Sequence, residues 1–190
     1  MLFKFNNYFN LMKTYISFFL FFGFLFFSQS CSSQSSSDPK AVESLVNSQN
    51  FTFYAQRANP TNYDVINVMN SIPNSTSTRI LELDGSYTII LKNDTLDVYL
   101  PYFGRSFNPS YGSTDKTGYK FVSKDFTVNK SQNKKGNWII KINPKDVSTV
   151  SEIYIEVFKN GKAFTSIKSS DRQPISYDGY VDKNDVNSKP

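Results

Sequence analysis

Histidine is absent from this chain of 190 residues, and cysteine occurs once. Without an imidazole there is no Ser-His-Asp or Cys-His catalysis and no histidine metal ligand, which removes the commonest designs of small hydrolase. A single thiol cannot form an internal disulfide. Basic residues are plentiful, yet only four of the 21 are arginine. The formal net charge of +5 and a pI near 9.1 come without a dense basic stripe, so nucleic acid is not expected as a ligand. The carboxylates at Asp115, Asp125, Asp146, Asp178, Asp182 and Asp185 lack the spacing of a calcium loop. No metal and no cofactor is expected.

What is abundant is phenylalanine, and it is unevenly placed: ten of the 18 lie in residues 1–30. The run from Tyr15 to Phe27 holds thirteen residues without a charge, after Lys13 and before polar Ser28, Gln29 and Ser30. A spanning helix needs roughly 20 apolar residues and a signal-peptide core about 7 to 15, so residues 1–30 are expected to be a signal peptide. Met12 followed by Lys13 has the form of a signal-peptide start, which makes Met12 a candidate for the true initiator. Without residues 1–30 the chain keeps 19 basic and 16 acidic residues, a net charge of +3, and enough length for one domain with a core of its own.

Cys31 stands four residues past the apolar run, behind the small residue Ser30. That arrangement resembles the lipobox of bacterial lipoproteins, with Ser28 where leucine is usual, and it makes Cys31 the expected site of lipid attachment. The competing view is an ordinary signal peptide with a chance cysteine. Residues 31–37, cysteine followed by serines and a glutamine, then serve as a tether. In lipoproteins an Asp directly after the cysteine favours the inner membrane; here the residue is Ser32, so anchoring to the outer membrane is expected. No dense acidic run follows, and a periplasm-facing domain is expected.

The domain is expected over residues 38–181, with 182–190 a flexible tail. Asp38 and Pro39 form a helix start, and Val42, Leu45 and Val46 follow at helical spacing. From Phe51 onward the period is two, in segments bounded by Asn, Gly, Pro and Ser. Residues 73–77 carry turn chemistry, and a short apolar run at Ile80 to Leu83 leads into Tyr87, Ile89 and Leu91. Strands are expected again at 96–100, 119–122, 126–128, 138–142, 153–158, 163–167 and 175–181. Asn160-Gly161 predicts a type I′ hairpin, which needs positive φ at both central residues. Lys130, Lys134 and Lys135 are expected at a solvated hairpin tip. The fold class is mainly β: an antiparallel β-sandwich or partly closed barrel with one short N-terminal helix, the alternative being an α+β open antiparallel sheet with the helix packed on one face.

Two segments are dense in aromatics and hold two of the four arginines: Tyr99 to Arg105 (YLPYFGR) and Asp171 to Tyr180 (DRQPISYDGY). Where lysine is the default cation, an arginine points to use of its planar five-donor fork. In the structural reading, Pro101 and Gly104 shape a loop and the arginines stitch it to the domain. In the functional reading, Tyr99, Tyr102, Phe103, Tyr177 and Tyr180 wall a cleft in which Arg105 or Arg172 meets an anion. Burial and pairing of the two arginines decide between them. Asp94-Thr95-Leu96 matches a short acceptor pattern for O-glycosylation at Thr95, and equally a turn running into a strand.

YLPYFGRSF at Tyr99 to Phe107 and SDRQPISYDGY at Ser170 to Tyr180, together with PSYG at Pro109 to Gly112, Gly136 to Ile142 with its tryptophan, and NGKAF at Asn160 to Phe164, resemble the lipoprotein family called domain of unknown function 4251. The resemblance runs from about Phe51 to Val181 and departs at Lys116-Thr117-Gly118, where a glycine pair would be usual. It implies a secreted, lipid-anchored, β-rich envelope domain of Gram-negative bacteria, and no activity. The expected function is a non-catalytic envelope module that binds an envelope protein or a glycan and meets the membrane through lipid on Cys31. The alternatives are a periplasmic inhibitor of an envelope hydrolase, and a small glycan hydrolase using two carboxylates about 5 to 9.5 Å apart.

Overall fold

The computed structural model describes residues 38–74, 76–107 and 118–184. The expectations for residues 1–37, including Cys31, for the PSYG motif, for Lys116 and Thr117 and for the tail beyond 184 lie outside the described residues. Chain order is α1 (Pro39–Ser48), β1 (Phe51–Pro60), α2 (Tyr63–Ser71), α3 (Ser77–Leu81), β2 (Thr88–Leu91), β3 (Leu96–Pro101), β4 (Gly118–Ser123), β5 (Phe126–Gln132), β6 (Trp138–Pro144), β7 (Val150–Val157), β8 (Lys162–Ser169) and β9 (Ile175–Asp182).

The nine strands among the described residues join one antiparallel sheet in the order β4-β3-β2-β1-β9-β8-β7-β6-β5. The two edge strands, β4 and β5, are consecutive in the chain and separated only by Lys124 and Asp125, so the sheet curls until its edges meet at that turn, giving a nearly closed barrel. Alternation places Phe51 and Phe53 of β1, Ile89 and Leu91 of β2, Ile140 and Ile142 of β6, Ile153 and Ile155 of β7 and Tyr177 of β9 inside, all fully buried. Each such side chain contributes about 1.5–3 kcal/mol by leaving water.

One carboxylate holds the closing turn. Asp146, after β6, accepts from the Ser123 hydroxyl and from the backbone N–H of Lys124 at 2.8 Å and Asp125 at 3.3 Å. The Ser123 bond first, then those amides, hold its carboxyl below the ordinary aspartate value. A carboxyl depressed in the folded state stabilises above its unfolded pKa, and that contribution disappears as pH falls through the folded value. Asp146→Asn is therefore expected to lower the melting temperature at neutral pH and to flatten its decline between pH 5 and 3, as followed by circular dichroism. An unchanged acid profile would remove Asp146 from this role.

Among the described residues three helices form where one was expected. In α1, Asp38 caps Lys40 N at 3.1 Å, and Val42 and Val46 are buried. Lys130, expected at a solvated hairpin tip, instead reaches back from β5 to the terminal carbonyls of this helix, Val46 O at 3.5 Å and Asn47 O at 3.2 Å. Cations at a helix C-terminus satisfy carbonyls that have no partner within the helix. Helix α2 is capped by Asn62, which accepts from Asp64 N at 2.9 Å, and α3 by Thr76. The run at Ile80 to Leu83 ends α3 and supplies only an isolated bridge, Glu82 to Arg57.

The β7–β8 hairpin forms at the expected place with a different turn. Gly161 has φ of 81° but Asn160 is not left-handed, and Gly161 N donates to Phe158 O at 3.0 Å while Phe158 N donates to Lys162 O at 2.8 Å. This is a turn with a glycine bulge, not type I′, because five residues rather than two lie between the members of the last register pair, Val157 and Ala163. The β5–β6 tip repeats it: Gly136 N donates to Asn133 O at 2.9 Å, and Gly136 has φ of 77°.

Candidate functional site

The two arginine-bearing segments meet at one end of the barrel, where β3 and β8 end and β4 and β9 begin. Residues 105–107 run antiparallel to 171–173: Phe107 N donates to Asp171 O at 2.8 Å, Gln173 N donates to Arg105 O at 3.1 Å, and Ser106 bridges Arg172. Two tyrosines staple the contact. The Tyr102 hydroxyl lies 2.9 Å from the Arg105 carbonyl and 3.1 Å from that of Gln173, which share its one proton. Its ring crosses Gly104 so closely that a Cβ there would stand 2.4 Å from the phenol oxygen, which is why this loop has glycine. Tyr177, fully buried, donates to Pro101 O at 2.6 Å. Burial pushes the phenols of Tyr177 and Tyr119 well above their ordinary value, and that of Tyr102 up as well.

Arg172 is the centre of this latch. Its fork meets Asp171 through Nε at 3.1 Å and Nη2 at 2.8 Å, and Nη1 donates to Gly118 O at 3.1 Å. The guanidinium carbon lies 5.0 Å from the Tyr102 ring centre and 4.9 Å from that of Tyr119, with those rings edge-to-face at 5.9 Å. Burial alone would raise the Asp171 carboxyl; bonds from Arg172 and Ser169 and the guanidinium charge outweigh it, and the carboxyl sits below its ordinary value. Burial opposes the charge of Arg172 too, and Asp171 more than restores it. Both side chains are mostly enclosed, 12% and 16% exposed.

The single cleft of the functional reading does not form. Tyr177 faces the interior, Tyr102 is half-buried in the latch, and Phe103 packs against the core. Tyr99 and Tyr180 point outward, each stacked on another ring: Tyr180 on Tyr54 at 5.1 Å and Tyr99 on Tyr87 at 5.2 Å. The reason is strand parity, which sends adjacent residues of β3 and β9 to opposite faces. Arg172 fits the structural reading. Arg105 does not: its side chain is exposed and forms no ion pair with any described residue. Beside it a groove of about 370 Å³ is lined by Asn62, Asp64, Val65, Val68, Met69 and Gly104. The α2 residues of this groove escaped notice in the sequence, although Asn62 as cap and Val65 and Met69 four apart carried a helical signal.

Thr95 lies at the β2–β3 turn, half-buried, with its hydroxyl donating to Asp94 at 3.1 Å. Among the described residues, no group of three or more acidic or thiol side chains could hold a metal, and no helix is long and apolar enough to cross a membrane.

Comparison with known families decides the lineage. The family described as Domain of unknown function (DUF4251) matches residues 33–181. The chain belongs to this family. A crystal structure of a DUF4251 family protein from Bacteroides eggerthii DSM 20697 is similar at 10% identity, with a TM-score of 0.50, covering 78% of this chain and 89% of that one. At that identity the likeness concerns the fold, and it is the fold of the same family. No curated protein matches. Within this DUF4251 domain, Tyr177→Phe is expected to lower stability by about 1–3 kcal/mol, since the Pro101 carbonyl would stay buried without a donor. Urea denaturation measures it, and a midpoint equal to wild type would mean that water replaces the phenol.

Proposed function

We propose that the protein is a non-catalytic module of the cell envelope, held to the outer membrane by lipid on Cys31 and facing the periplasm, and that it binds an envelope protein at the Arg105 groove. The observation that carries the binding site is Arg105 itself: an exposed guanidinium without an ionic partner among the described residues, beside the apolar wall of Val65, Val68 and Met69. Val68 is 63% exposed, and Tyr63 and Ile72 at the two ends of α2 are exposed as well. Exposed apolar surface beside arginine is the composition from which protein interfaces are built. The latch fixes the Arg105 backbone through its carbonyl, so on binding the ordering cost falls on the side chain alone. The fitting partner surface is a carboxylate flanked by apolar side chains.

A photo-crosslinking amino acid at Val68 in intact cells is expected to trap one envelope protein, and Arg105→Glu to reduce that adduct at least tenfold while the circular dichroism spectrum stays unchanged. Equal yield with Arg105→Glu would refute the site. Cys31→Ala is expected to move the protein out of the membrane fraction; retention there would refute lipid anchoring.

A further inference from the structure

At the opposite end of the barrel the tips of two hairpins, β5–β6 and β7–β8, stand side by side and border a second groove, of about 630 Å³, which the Arg105 reading does not use. We infer that this groove binds an acidic saccharide. Its volume is within the roughly 300–1,000 Å³ usual for ligand sites. Its lining combines what sugar recognition asks for: the ring of Phe158, the side chains of Gln56, Asn137 and Asp178, and the ammonium groups of Lys159 and Lys162. An exposed aromatic ring offers a face to the C–H side of a pyranose, amides and a carboxylate meet its hydroxyls, and a lysine meets an anionic substituent.

Three features separate this groove from an ordinary lysine-bearing surface. Asn137 is only 8% exposed, and its amide nitrogen donates to Glu156 at 2.8 Å, which fixes the flip of the side chain. Its side-chain oxygen then has no hydrogen-bond partner among the described residues, although the residue lines the groove. Gln56 is the extra residue of a bulge in β1, between the pairs Ala55–Gly179 and Arg57–Asp178, and bulges re-aim side chains out of a sheet's regular alternation. Lys159 lies across Gly136 of the neighbouring tip, so close that a Cβ there would stand 2.8 Å from its Cε, and its stem bridges the two tips. Neither Lys159 nor Lys162 has an ion-pair partner among the described residues, and Glu156 is already engaged by the amides of Asn133 and Asn137. Lys134 and Lys135 on the adjoining tip add positive charge, so the four lysines outnumber the nearby carboxylates of Asp178 and Glu156.

The test is calorimetric titration of the purified full-length protein with trigalacturonate, with mannotriose 6-phosphate, and with the methyl ester of trigalacturonate. At least one acidic probe is expected to bind saturably, and the ester at least tenfold more weakly than its acid. Lys159→Gln with Lys162→Gln is expected to weaken the acidic probe at least tenfold, and Phe158→Ser several-fold. Arg105→Glu is expected to leave this affinity unchanged, which separates the groove from the protein-binding site. All four substitutions are at exposed positions, and melting curves confirm that the variants remain folded. Absence of binding by both acidic probes, unchanged affinity in the double lysine variant, or equal affinity for a hexaglutamate peptide would overturn the proposal, the last because it would show that charge alone is read.

Discussion

Gly179→Ala is expected to lower the stability of this domain by about 3 kcal/mol or more, close to the upper range for forcing an extra carbon into a packed site. Gly179 sits in the middle of β9, between Ala55 of β1 and Ala163 of β8. The bulge at Gln56 pushes the β1 backbone over it: a Cβ at this position would lie 1.9 Å from the Tyr54 carbonyl oxygen and 3.0 Å from the Phe53 ring. A side-chain tip could rotate away, but the carbonyl belongs to the central ladder and cannot move without parting β1 from β9. Against a total stability of about 5–15 kcal/mol, the loss would move the melting temperature down by about 6–12 °C. Gly85→Ala is the matched control. It has φ of 84° and open space around it, so only backbone strain of about 1 kcal/mol is expected. If the two variants melted together, the close approach of β1 would carry no energetic weight.

The second large effect is expected at Arg172. Arg172→Ala should cost about 2–4 kcal/mol, somewhat below the range for a fully buried pair because some solvent reaches it. The variant also has a pH signature that mere loss of packing lacks. In the native protein the Asp171 carboxyl is depressed, so the unfolded chain binds more protons than the folded one in the acid range and stability rises with pH there. Without the guanidinium, desolvation acts on Asp171 against fewer opposing bonds and the carboxyl moves up, so this rise shrinks or reverses. Arg172→Lys is expected to recover less than half of the loss. An ammonium cannot hold Asp171 and the Gly118 carbonyl at once while lying flat between Tyr102 and Tyr119. Chemical denaturation at pH 4 and pH 7 distinguishes the cases. Parallel shifts at both values for Arg172→Ala would mean that the ion pair is incidental.

The same two positions show how far pattern reading reaches. Alternation of period two placed the strands from β1 to β9 and their buried faces, because burial of one face of a pleat leaves its mark on every second residue. The short motifs were also legible as special, through an arginine in a lysine-rich chain and a glycine beside tyrosines. What they were special for was not. Asp171 and Arg172 are adjacent in sequence, yet the partners that define them, Gly118, Tyr102 and Tyr119, lie more than fifty residues away. The turn at Asn160-Gly161 failed in detail for a local reason: its glycine supplies one left-handed residue, and whether the loop has two residues or more depends on which strand positions pair across it.

By itself, the sequence determined the periodicity, the mainly β class, the family and the chemistry that is missing, since each of these is written in residue types and their spacing along one dimension. Only the tertiary structure decided that Arg172 is spent on closing one end of the barrel while Arg105 is left facing solvent, and that Asn137, Phe158 and Asp178 share a groove. Those outcomes depend on sheet order and on the curl that brings β4 to β5, and long-range pairing of that kind leaves no mark on either partner alone.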